Sequence, residues 1–206
     1  MNKHLIILGA SGHGKVVLDI AKRINNWKEI YFVDDKISGE VLGHKVIGTT
    51  DVFENLNFEY NEIIVAIGDN NVRKKWMEYL EQNKYTLPIL VDPSAVIGVN
   101  VKITKGTVVM ANAVINVDSK IGKGCIINTS AVIEHDCEIH DFSHISPNAT
   151  LGGNVKINTL AWIGLGSIIL NNISVSQCSI VGAGATVINN IEVPGVYVGT
   201  PARKIR

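Results

Sequence analysis

The sequence predicts two domains of different class, an α/β domain followed by a β-solenoid. From residue 95 to residue 193, an aliphatic residue recurs at every sixth position without a slip. Before that stretch, short apolar runs alternate with helix-like segments, which is the pattern of a parallel sheet with crossover helices. Pro88 and Pro93 punctuate the junction. We therefore predict domains over residues 1–88 and 89–206.

The first domain is predicted to begin with a buried strand at residues 5–8, because four apolar residues there end at Gly9. A glycine-rich turn then leads into a helix whose inner face holds Val16, Val17, Ile20, Ala21 and Ile24. The other predicted elements are a strand at 29–33, a hairpin at 39–48, a short helix at 50–55, a strand at 62–67, a helix with Val72, Trp76, Tyr79 and Leu80 inside, and a fourth strand at 87–91.

The second domain is organised by sixes. The first place of each six holds mainly small residues, and the third place always holds Ile, Leu or Val. Neither a helix nor a flat sheet has a period of six, whereas short strict repeats are typical of β-solenoids. We expect one short strand and one corner per six, with the third-place residue pointing inward. The third-place residues are Ile97, Ile103, Val109, Ile115, Ile121, Ile127, Ile133, Ile139, Ile145, Leu151, Ile157, Ile163, Ile169, Val175, Val181, Val187 and Val193.

Composition argues against several partners. Nineteen Lys and Arg balance nineteen Asp and Glu, so there is no basic field for nucleic acid or an anionic membrane. No apolar run approaches the ~20 residues of a membrane span. The three cysteines are an odd number in a chain without a recognisable signal peptide, which predicts a reducing, cytoplasmic location.

Residues 9–14 read Gly-x-x-Gly-x-Gly, which is not the dinucleotide fingerprint. Their position between the first strand and the first helix still directs backbone N–H groups and a positive helix end at an anion. Asp34 and Asp35 end the second strand, where a ribose is usually bound. The domain is small, so a nucleotide-sugar fits it better than a dinucleotide. A glycine-rich turn without a ligand is the alternative.

Glu134, His135 and Asp136 form a candidate general-base site. His135 is two places past the inward Ile133, so it should lie at a corner facing outward. An acceptor on one imidazole nitrogen fixes the tautomer and raises the basicity of the other nitrogen. An inert surface histidine is the alternative.

A metal site is a further alternative, because His135, Cys137, His140 and His144 have ligand-like spacings. Cys137 occupies the small inward place of its six, pointing away from the histidines. This argues against a metal and also against Cys137 as a nucleophile, and we predict that the protein uses no metal.

The whole of residues 3–206 resembles the bacterial sugar acetyltransferases that have a small nucleotide-sugar-binding, Rossmann-like domain before a left-handed parallel β-helix. In that hexapeptide-repeat family, three sixes make each coil. The motifs that carry the resemblance are Gly9-Ala10-Ser11-Gly12-His13-Gly14, Asp34-Asp35, Val65-Ala66-Ile67-Gly68, Asn128-Thr129, Glu134-His135-Asp136-Cys137, Ser143-His144, Gly152-Gly153-Asn154-Val155 and Val198-Gly199-Thr200-Pro201-Ala202.

The resemblance implies roles for individual residues. It makes His135 the general base, assisted by Asp136 and flanked by Glu134. The residues it implies for the nucleotide-sugar are Ser11, Gly12, His13, Asp34, Asp35, Gly68 and Asn128. The residues it implies for acetyl-CoA are His144, Gly153, Leu165 and Ala183; some relatives have Gly at the last of these positions.

The activity implied by the resemblance is acetyl transfer from acetyl-CoA to the C4 amine of a UDP- or GDP-linked 4-amino-dideoxy sugar. Asp136 favours this over an O-acetyltransferase acting on sialic acid or a related sugar, whose members often have another residue there. A non-catalytic nucleotide-sugar-binding trimer is the alternative of another class. Because His135 and His144 are half a coil apart, they should lie on different sides of the solenoid. We therefore expect a homotrimer with active sites between subunits.

Overall fold

The computed structural model describes residues 3–54 and 61–206. It divides into two compact units, Met1–Leu90 and Val91–Arg206, whereas the boundary predicted from the sequence lay between residues 88 and 89. Within the described ranges, no helix has the length and apolar character needed to cross a membrane.

The first unit has a three-stranded parallel sheet, in the order β2-β1-β5, with its helices in the connections. This confirms the predicted α/β class. The predicted end of the short helix at residue 55 lies outside the described residues. The elements are β1 (His4–Leu8), α1 (Gly12–Ile24), β2 (Glu29–Val33), the hairpin strands β3 (Glu40–Val41) and β4 (His44–Lys45), a 3₁₀ helix (Thr50–Glu54), β5 (Asn61–Val65) and α2 (Asn70–Gln82).

The predicted inner faces of the two helices were partly wrong. On α1, Val16 is 41% exposed and Leu18 is buried in its place. On α2, Val72 is 42% exposed, while Arg73 is buried on the inner side of the helix. The reason on α2 is polar, because the Arg73 guanidinium donates to the carbonyl oxygens of Ile67 and Gly68 in the loop after β5. A buried cation has to be hydrogen-bonded. Because the acceptors of Arg73 lie in the loop after β5, the face of α2 that carries Arg73 is the buried one.

The predicted fourth strand, at residues 87–91, is shorter than expected and belongs to the solenoid rather than to the first sheet. Leu90–Val91 forms strand β6, which joins a sheet of the solenoid. Just before this segment, Thr86 makes an isolated parallel bridge with Glu62 of the first unit. Pro88 follows shortly after and has no N–H to donate, so the ladder cannot continue along β5.

One short strand per six was predicted, and from residue 95 to residue 190 the solenoid places a two-residue strand at the second and third places of each six. Partners in neighbouring coils are three sixes apart in sequence, as in the pair Ile115 and Ile133. After β6, these strands are β7 (Val96–Ile97), β8 (Lys102–Ile103), β9 (Val108–Val109), β10 (Val114–Ile115), β11 (Lys120–Ile121), β12 (Ile126–Ile127), β13 (Val132–Ile133), β14 (Glu138–Ile139), β15 (His144–Ile145), β16 (Thr150–Leu151), β17 (Lys156–Ile157), β18 (Trp162–Ile163), β19 (Ile168–Ile169), β20 (Ser174–Val175), β21 (Ile180–Val181) and β22 (Thr186–Val187), followed by the closing strands β23 (Val196–Val198) and β24 (Arg203–Lys204).

Successive strands pass through three sheets in turn, so each coil contributes one strand to each sheet. We call the sheet from β7 to β22 sheet 1, the sheet from β8 to β20 sheet 2, and the sheet that begins with β6 and includes β15 and β18 sheet 3. Third-place residues are buried from Val109 to Val187. First-place hydroxyl and thiol groups cap inner carbonyls: Thr107 Oγ1 donates to Gly122 O at 2.8 Å.

The predicted register fails at the C-terminal end. Val193 is 56% exposed, and Ile191, which is 4% exposed, takes the inward position. Ile191 bridges Val175, and Val181 pairs with Tyr197, so these partners are closer in sequence than three sixes. The last coil is therefore two residues short, and the chain leaves the repeat to form β23 and β24.

From Asn100 to Gly184, the sixth place of each six adopts a left-handed backbone conformation, which forms the corner. Asn, Asp and Gly tolerate this conformation, whereas other residues lose about 1–2 kcal/mol in it. Asp136 belongs to this set with a φ of 61°. The left-handed sixth-place residues are Asn100, Gly106, Asn112, Asp118, Gly124, Ser130, Asp136, Phe142, Asn148, Asn154, Leu160, Gly166, Asn172, Cys178 and Gly184.

Replacing Cys178 by Asn should stabilise the solenoid. Cys178 is exposed and has a φ of 57°, so asparagine relieves backbone strain without disturbing the core. We expect the free energy of unfolding to rise by about 1 kcal/mol, or about 2–4 °C in Tm by calorimetry. The matched control, Asn112→Val, places a β-branched residue at an equivalent corner and should lower the Tm. Equal Tm values for both variants would contradict the strain argument.

Candidate active site

A cavity of about 340 Å³ opens at the carboxyl ends of the three parallel strands of the first unit. Ligands of open α/β sheets bind at such an edge. Four residues predicted to contact the nucleotide-sugar line it, namely Ser11, Asp34, Asp35 and Gly68. The full lining is Leu8, Gly9, Ser11, Asp34, Asp35, Lys36, Thr50, Ala66, Ile67, Gly68, Val72 and Trp76.

The glycine-rich loop contains one tightly packed glycine, Gly14, and one with free space around it, Gly12. A Cβ on Gly14 would overlap the carbonyl oxygen of Gly9, so this glycine allows α1 to pack against the end of β1. Ser11 is the N-cap residue of α1, although its side chain makes no capping hydrogen bond. A Cβ on Gly12 would meet nothing within 4 Å, so packing within the chain does not require glycine there. The N-terminus of α1 is therefore accessible to an anion.

Asp34 connects this loop to the end of β2. Its Oδ2 accepts the N–H of Ala10 at 2.8 Å, and its Oδ1 accepts the N–H groups of Lys36 and Ile37, both at 2.9 Å. Partial burial raises the pKa of Asp34, but these three hydrogen bonds and the charge of Lys36 outweigh it and hold the pKa below its usual value. Asp34 therefore holds the loop in shape.

Asp35 has a different environment. Its Oδ1 accepts from the backbone N–H of Thr50 at 2.8 Å and from the Thr50 hydroxyl at 3.0 Å. Within the described part of the chain, its Oδ2 makes no hydrogen bond. Of the two acids, Asp35 is the one with a carboxylate oxygen left to bind a ligand.

His13 lies on the first turn of α1, half-buried. Burial lowers the pKa of His13 to about 4, with a smaller effect of the Arg73 guanidinium, so its ring is neutral near pH 7. Among the described residues, its buried Nε2 atom makes no hydrogen bond. His13 and Gly12 are the predicted nucleotide-sugar residues of this unit that do not line the cavity.

In the second unit, His135 lies at the corner after β13 and forms a pair with Asp136. Its Nδ1 is 2.7 Å from Asp136 Oδ2, and the two side chains are 53% and 58% exposed. A carboxylate only accepts hydrogen bonds, so Nδ1 carries the proton of the neutral ring. Nε2 is then the basic nitrogen. The geometry is that of a histidine–carboxylate general base.

Asp136 is part of a column of corner residues spaced by one coil. Elsewhere in this column, Asn100 Nδ2 donates to Asp118 Oδ1 at 3.1 Å, and Asn154 Nδ2 donates to Asn172 Oδ1 at 3.0 Å. Asp136 lies between these pairs and binds His135 instead. At this coil the left-handed corner thus brings the side chains of His135 and Asp136 together.

Glu134 does not share this role. Its Oε2 accepts a hydrogen bond from Asn116 Nδ2 on the preceding coil at 3.0 Å. In the described structure, Asp136 is the one of the two flanking carboxylates that is hydrogen-bonded to His135.

Gly153 lies one coil after His135, directly against its ring. A Cβ at this position would be 2.6 Å from both Cε1 and Nε2 of His135. Asn154 also donates its N–H to the His135 carbonyl oxygen at 2.9 Å. The missing side chain at position 153 therefore provides the space that the imidazole occupies.

The remaining predicted residues form a second group. His144 lies on sheet 3, 9% exposed, and its Nε2 is 3.1 Å from Asn128 Nδ2. Leu165 and Ala183 are both exposed and lie one coil apart, each two residues after a strand of that sheet. Gly153, which was also predicted to bind acetyl-CoA, lies beside the ring of His135.

Three residues that belong to these contacts were not predicted from the sequence, namely Trp162, Ser146 and Asn116. Trp162 stacks on His144, with ring centroids 5.6 Å apart and an interplanar angle of 5°. Its position three sixes after His144 was the available signal, since residues one coil apart are neighbours in a sheet.

Cys125 and Cys137 point into the core of the solenoid, whereas Cys178 is exposed. Cys137 is buried and its Sγ donates to the Gly152 carbonyl oxygen at 3.2 Å. Burial raises the pKa of the Cys137 thiol to about 11, so a thiolate nucleophile is disfavoured. Over residues 3–54 and 61–206, no cluster of three or more His, Cys, Asp or Glu side chains could hold a metal ion.

Two family models match this chain. The model of the PglD N-terminal domain matches residues 4–80, and the bacterial transferase hexapeptide model, of six repeats, matches residues 118–153. The chain is 37% identical over 112 residues to a UDP-N-acetylbacillosamine N-acetyltransferase of Bacillus subtilis, a match that covers 53% of this chain and 52% of that protein. It therefore aligns with about half the length of this curated relative.

Solved structures match over the whole chain. The acetyltransferase domain of PglB from Neisseria gonorrhoeae, in complex with acetyl coenzyme A, is 38% identical, with a TM-score of 0.97 and full coverage of both chains. PerB from Caulobacter crescentus, in complex with CoA and GDP-perosamine, is 32% identical, with a TM-score of 0.93, 98% of this chain covered and 97% of that one.

The fold and the histidine–carboxylate pair define a hexapeptide-repeat transferase with an α/β domain before its solenoid. The chain belongs to the family of sugar acetyltransferases with a PglD-type N-terminal domain.

Asp34→Asn should destabilise the first unit in a pH-dependent way. The folded-state pKa of Asp34 is below its ordinary value of about 3.9, so the ionised form stabilises the fold. This stabilisation is complete above that ordinary value and disappears as the pH falls through the lower folded-state pKa. The Tm difference between wild type and variant, measured by circular dichroism, should be largest at pH 7 and should narrow below about pH 4. A difference that stays constant with pH would contradict the role of the charge.

Proposed function

We propose that this protein transfers an acetyl group from acetyl-CoA to the 4-amino group of a nucleotide-linked amino-dideoxy sugar, with His135 as general base. The observation that carries the proposal is the pair of His135 Nδ1 and Asp136 Oδ2 at 2.7 Å, which leaves Nε2 as the proton acceptor. The relatives that share the fold over the whole chain bind acetyl coenzyme A, or CoA and GDP-perosamine.

In the proposed reaction, the lone pair of the sugar amine attacks the thioester carbonyl carbon as His135 Nε2 removes a proton from that amine. The tetrahedral intermediate collapses by breaking the C–S bond, and the imidazolium returns the proton to the leaving thiolate, giving the amide and CoA-SH. Asp136 stabilises the imidazolium. Direct transfer needs no acyl-enzyme, and the buried Cys137 thiol supports this.

The cavity of the first unit is the proposed nucleotide site. The N-terminus of α1 at Ser11 and Gly12 would bind the diphosphate, because its N–H groups and dipole favour an anion. Asp35 would bind the ribose through its uncommitted Oδ2, and the apolar part of the cavity wall at Val72 and Trp76 suits a nucleobase. Asp34 would act indirectly, by holding the loop.

The choice of an amine acceptor rests on the relatives. The curated relative is named as an N-acetyltransferase, and the PerB structure contains CoA and GDP-perosamine. Mass spectrometry of products from acetyl-CoA with UDP- and GDP-linked 4-amino sugars and free sialic acid tests this. Acetylation of sialic acid alone would support the O-acetyltransferase alternative, and no CoA release with any acceptor would support a non-catalytic binding protein.

Since acetyl-CoA and nucleotide-sugars are made in the cytoplasm, the proposal also places the protein there.

We further propose a homotrimer with active sites between subunits. His135 follows a strand of sheet 1, whereas His144 lies in sheet 3, so the two predicted groups of active-site residues occupy different sides of one solenoid. The outward second-place residues support packing through those two sides. They are mainly apolar in sheets 1 and 3, such as Val96, Ile168 and Ile180, but charged in sheet 2, where Lys120 pairs with Glu138 at 3.0 Å. In a closed ring of three solenoids, sheet 1 of each subunit can pack against sheet 3 of its neighbour.

His135→Ala should reduce kcat by about 10²–10⁴ while leaving the KM for acetyl-CoA within about threefold, because the residue acts in proton transfer. His140→Ala is the matched control, since this histidine is 40% exposed in the same solenoid and lies beside Glu138 rather than in the proposed site. Steady-state kinetics with the best acceptor from the panel provides both constants. A His135→Ala enzyme within twofold of wild type would remove the residue from the mechanism.

Gly153→Ala gives an independent test of the same base. The backbone at Gly153 is not left-handed, so alanine suits it, but the new methyl group would displace the His135 ring. We expect kcat to fall at least about tenfold with an unchanged Tm, because a misplaced base loses much of its rate contribution.

Mixed oligomers should recover activity. Co-expressed His135→Ala and His144→Ala chains with different affinity tags would form trimers in which some interface sites have both histidines intact. The tandem-purified mixture should be more active than either parent. Lack of recovery in mixed trimers of verified mass would mean that each site takes both histidines from one chain, and a monomer by sedimentation would rule out the trimer.

A further inference from the structure

The indole of Trp162 lies flat against the imidazole of His144. These residues are register partners in the neighbouring strands β18 and β15 of sheet 3. Their centroids are 5.6 Å apart and their planes are within 5° of parallel, which is an offset stack. The next coil therefore restricts the orientation of the His144 ring.

The same contact occurs twice along the repeat. His144 Nε2 is 3.1 Å from Asn128 Nδ2, and Trp162 Nε1 donates to Ser146 Oγ at 2.9 Å. In each case a ring at a second place reaches the fourth-place residue of the preceding coil. Ser146 is 1% exposed, so the indole is anchored to a fixed acceptor. The two rings are parallel because both follow the repeat.

The contact with Asn128 also determines the tautomer of His144. Asn128 Oδ1 accepts the backbone N–H of Thr129 at 2.8 Å, so the Asn128 amide presents its NH₂ group to His144. Nε2 of His144 is then an acceptor, and the proton of the neutral ring is on Nδ1. In this state the proton is on the buried Nδ1 atom, and the ring is held in a fixed plane.

We propose that Trp162 is a positioning residue of the acetyl-CoA site, which holds His144 in this plane and tautomer. The inference rests on the proposed function and on the acetyl-CoA-binding role that the family resemblance implies for His144. The fold itself does not need an anchored indole at this place, because the corresponding residues are Ile126 two coils before and Ile180 one coil after. Trp162 is also 42% exposed, so core packing alone does not explain a large aromatic residue at this position.

Three variants separate positioning from general stability. Trp162→Leu removes both the ring and its N–H, whereas Trp162→Phe keeps an aromatic ring and loses only the bond to Ser146. Trp27→Leu is the matched control, because Trp27 is half-buried and its Nε1 donates to Glu62 in the first unit. Each protein is tested as the full chain, by kinetics, calorimetry and ¹⁵N NMR of labelled histidine.

We expect Trp162→Leu to raise the KM for acetyl-CoA about three- to tenfold, from the usual contribution of an aromatic stack, with kcat and the sugar KM within about twofold. Trp162→Phe should recover most of this loss, and Trp27→Leu should leave both KM values unchanged. The NMR signal of His144, identified by its loss in His144→Gln, should show the Nδ1–H tautomer in wild type and a mixture in Trp162→Leu.

Two results would overturn the inference. One is an unchanged acetyl-CoA KM together with an unchanged His144 tautomer in Trp162→Leu. The other is an equal loss in Trp162→Phe and Trp162→Leu that follows their Tm values, since it would show only a structural role. If the wild type transfers no acetyl group, the proposed function fails, and the tautomer comparison still decides whether Trp162 orients His144.

Discussion

The solenoid depends on one geometric constraint, which is that each coil takes three sixes and closes through left-handed corners. Every residue then lies beside the residues one coil before and after it, as in the pairs Ile115 with Ile133 and His144 with Trp162. Burial of the third-place aliphatics, at about 1.5–3 kcal/mol each, holds the stack together. Hydrogen bonds from Thr107, Ser119, Cys125 and Cys137 satisfy inner carbonyl groups that the short strands leave unpaired.

The candidate base uses this constraint directly. A corner places His135 outside the core, the left-handed residue after it is an aspartate within hydrogen-bond reach, and the residue one coil later is a glycine that leaves room for the ring. All three residues fit the repeat, and they are the residues that the proposed proton transfer uses. The site therefore costs the fold little, because Asp is already suited to the corner that Asp136 occupies.

The first unit follows a different principle. In a parallel sheet, the carboxyl ends of the strands meet at one edge, which collects polar residues from segments that are distant in sequence. Asp34 accepts three backbone N–H groups at this edge, and the buried Arg73 holds the carbonyl oxygens of Ile67 and Gly68. The cavity is shaped by polar contacts, whereas the solenoid is shaped by apolar ones.

The sequence by itself determined the solenoid register from Val109 to Val187, the α/β class of the first domain and the exposed position of His135, because each follows from a local period or a short motif. Only the tertiary structure decided that Ile191 rather than Val193 turns inward, that Arg73 rather than Val72 is buried, and that Gly153 lies with His135. In each case the deciding partner lies several residues or a whole coil away, such as Val175 for Ile191. A repeat identifies which residues face the core, but contacts between coils and buried hydrogen bonds decide between neighbouring candidates.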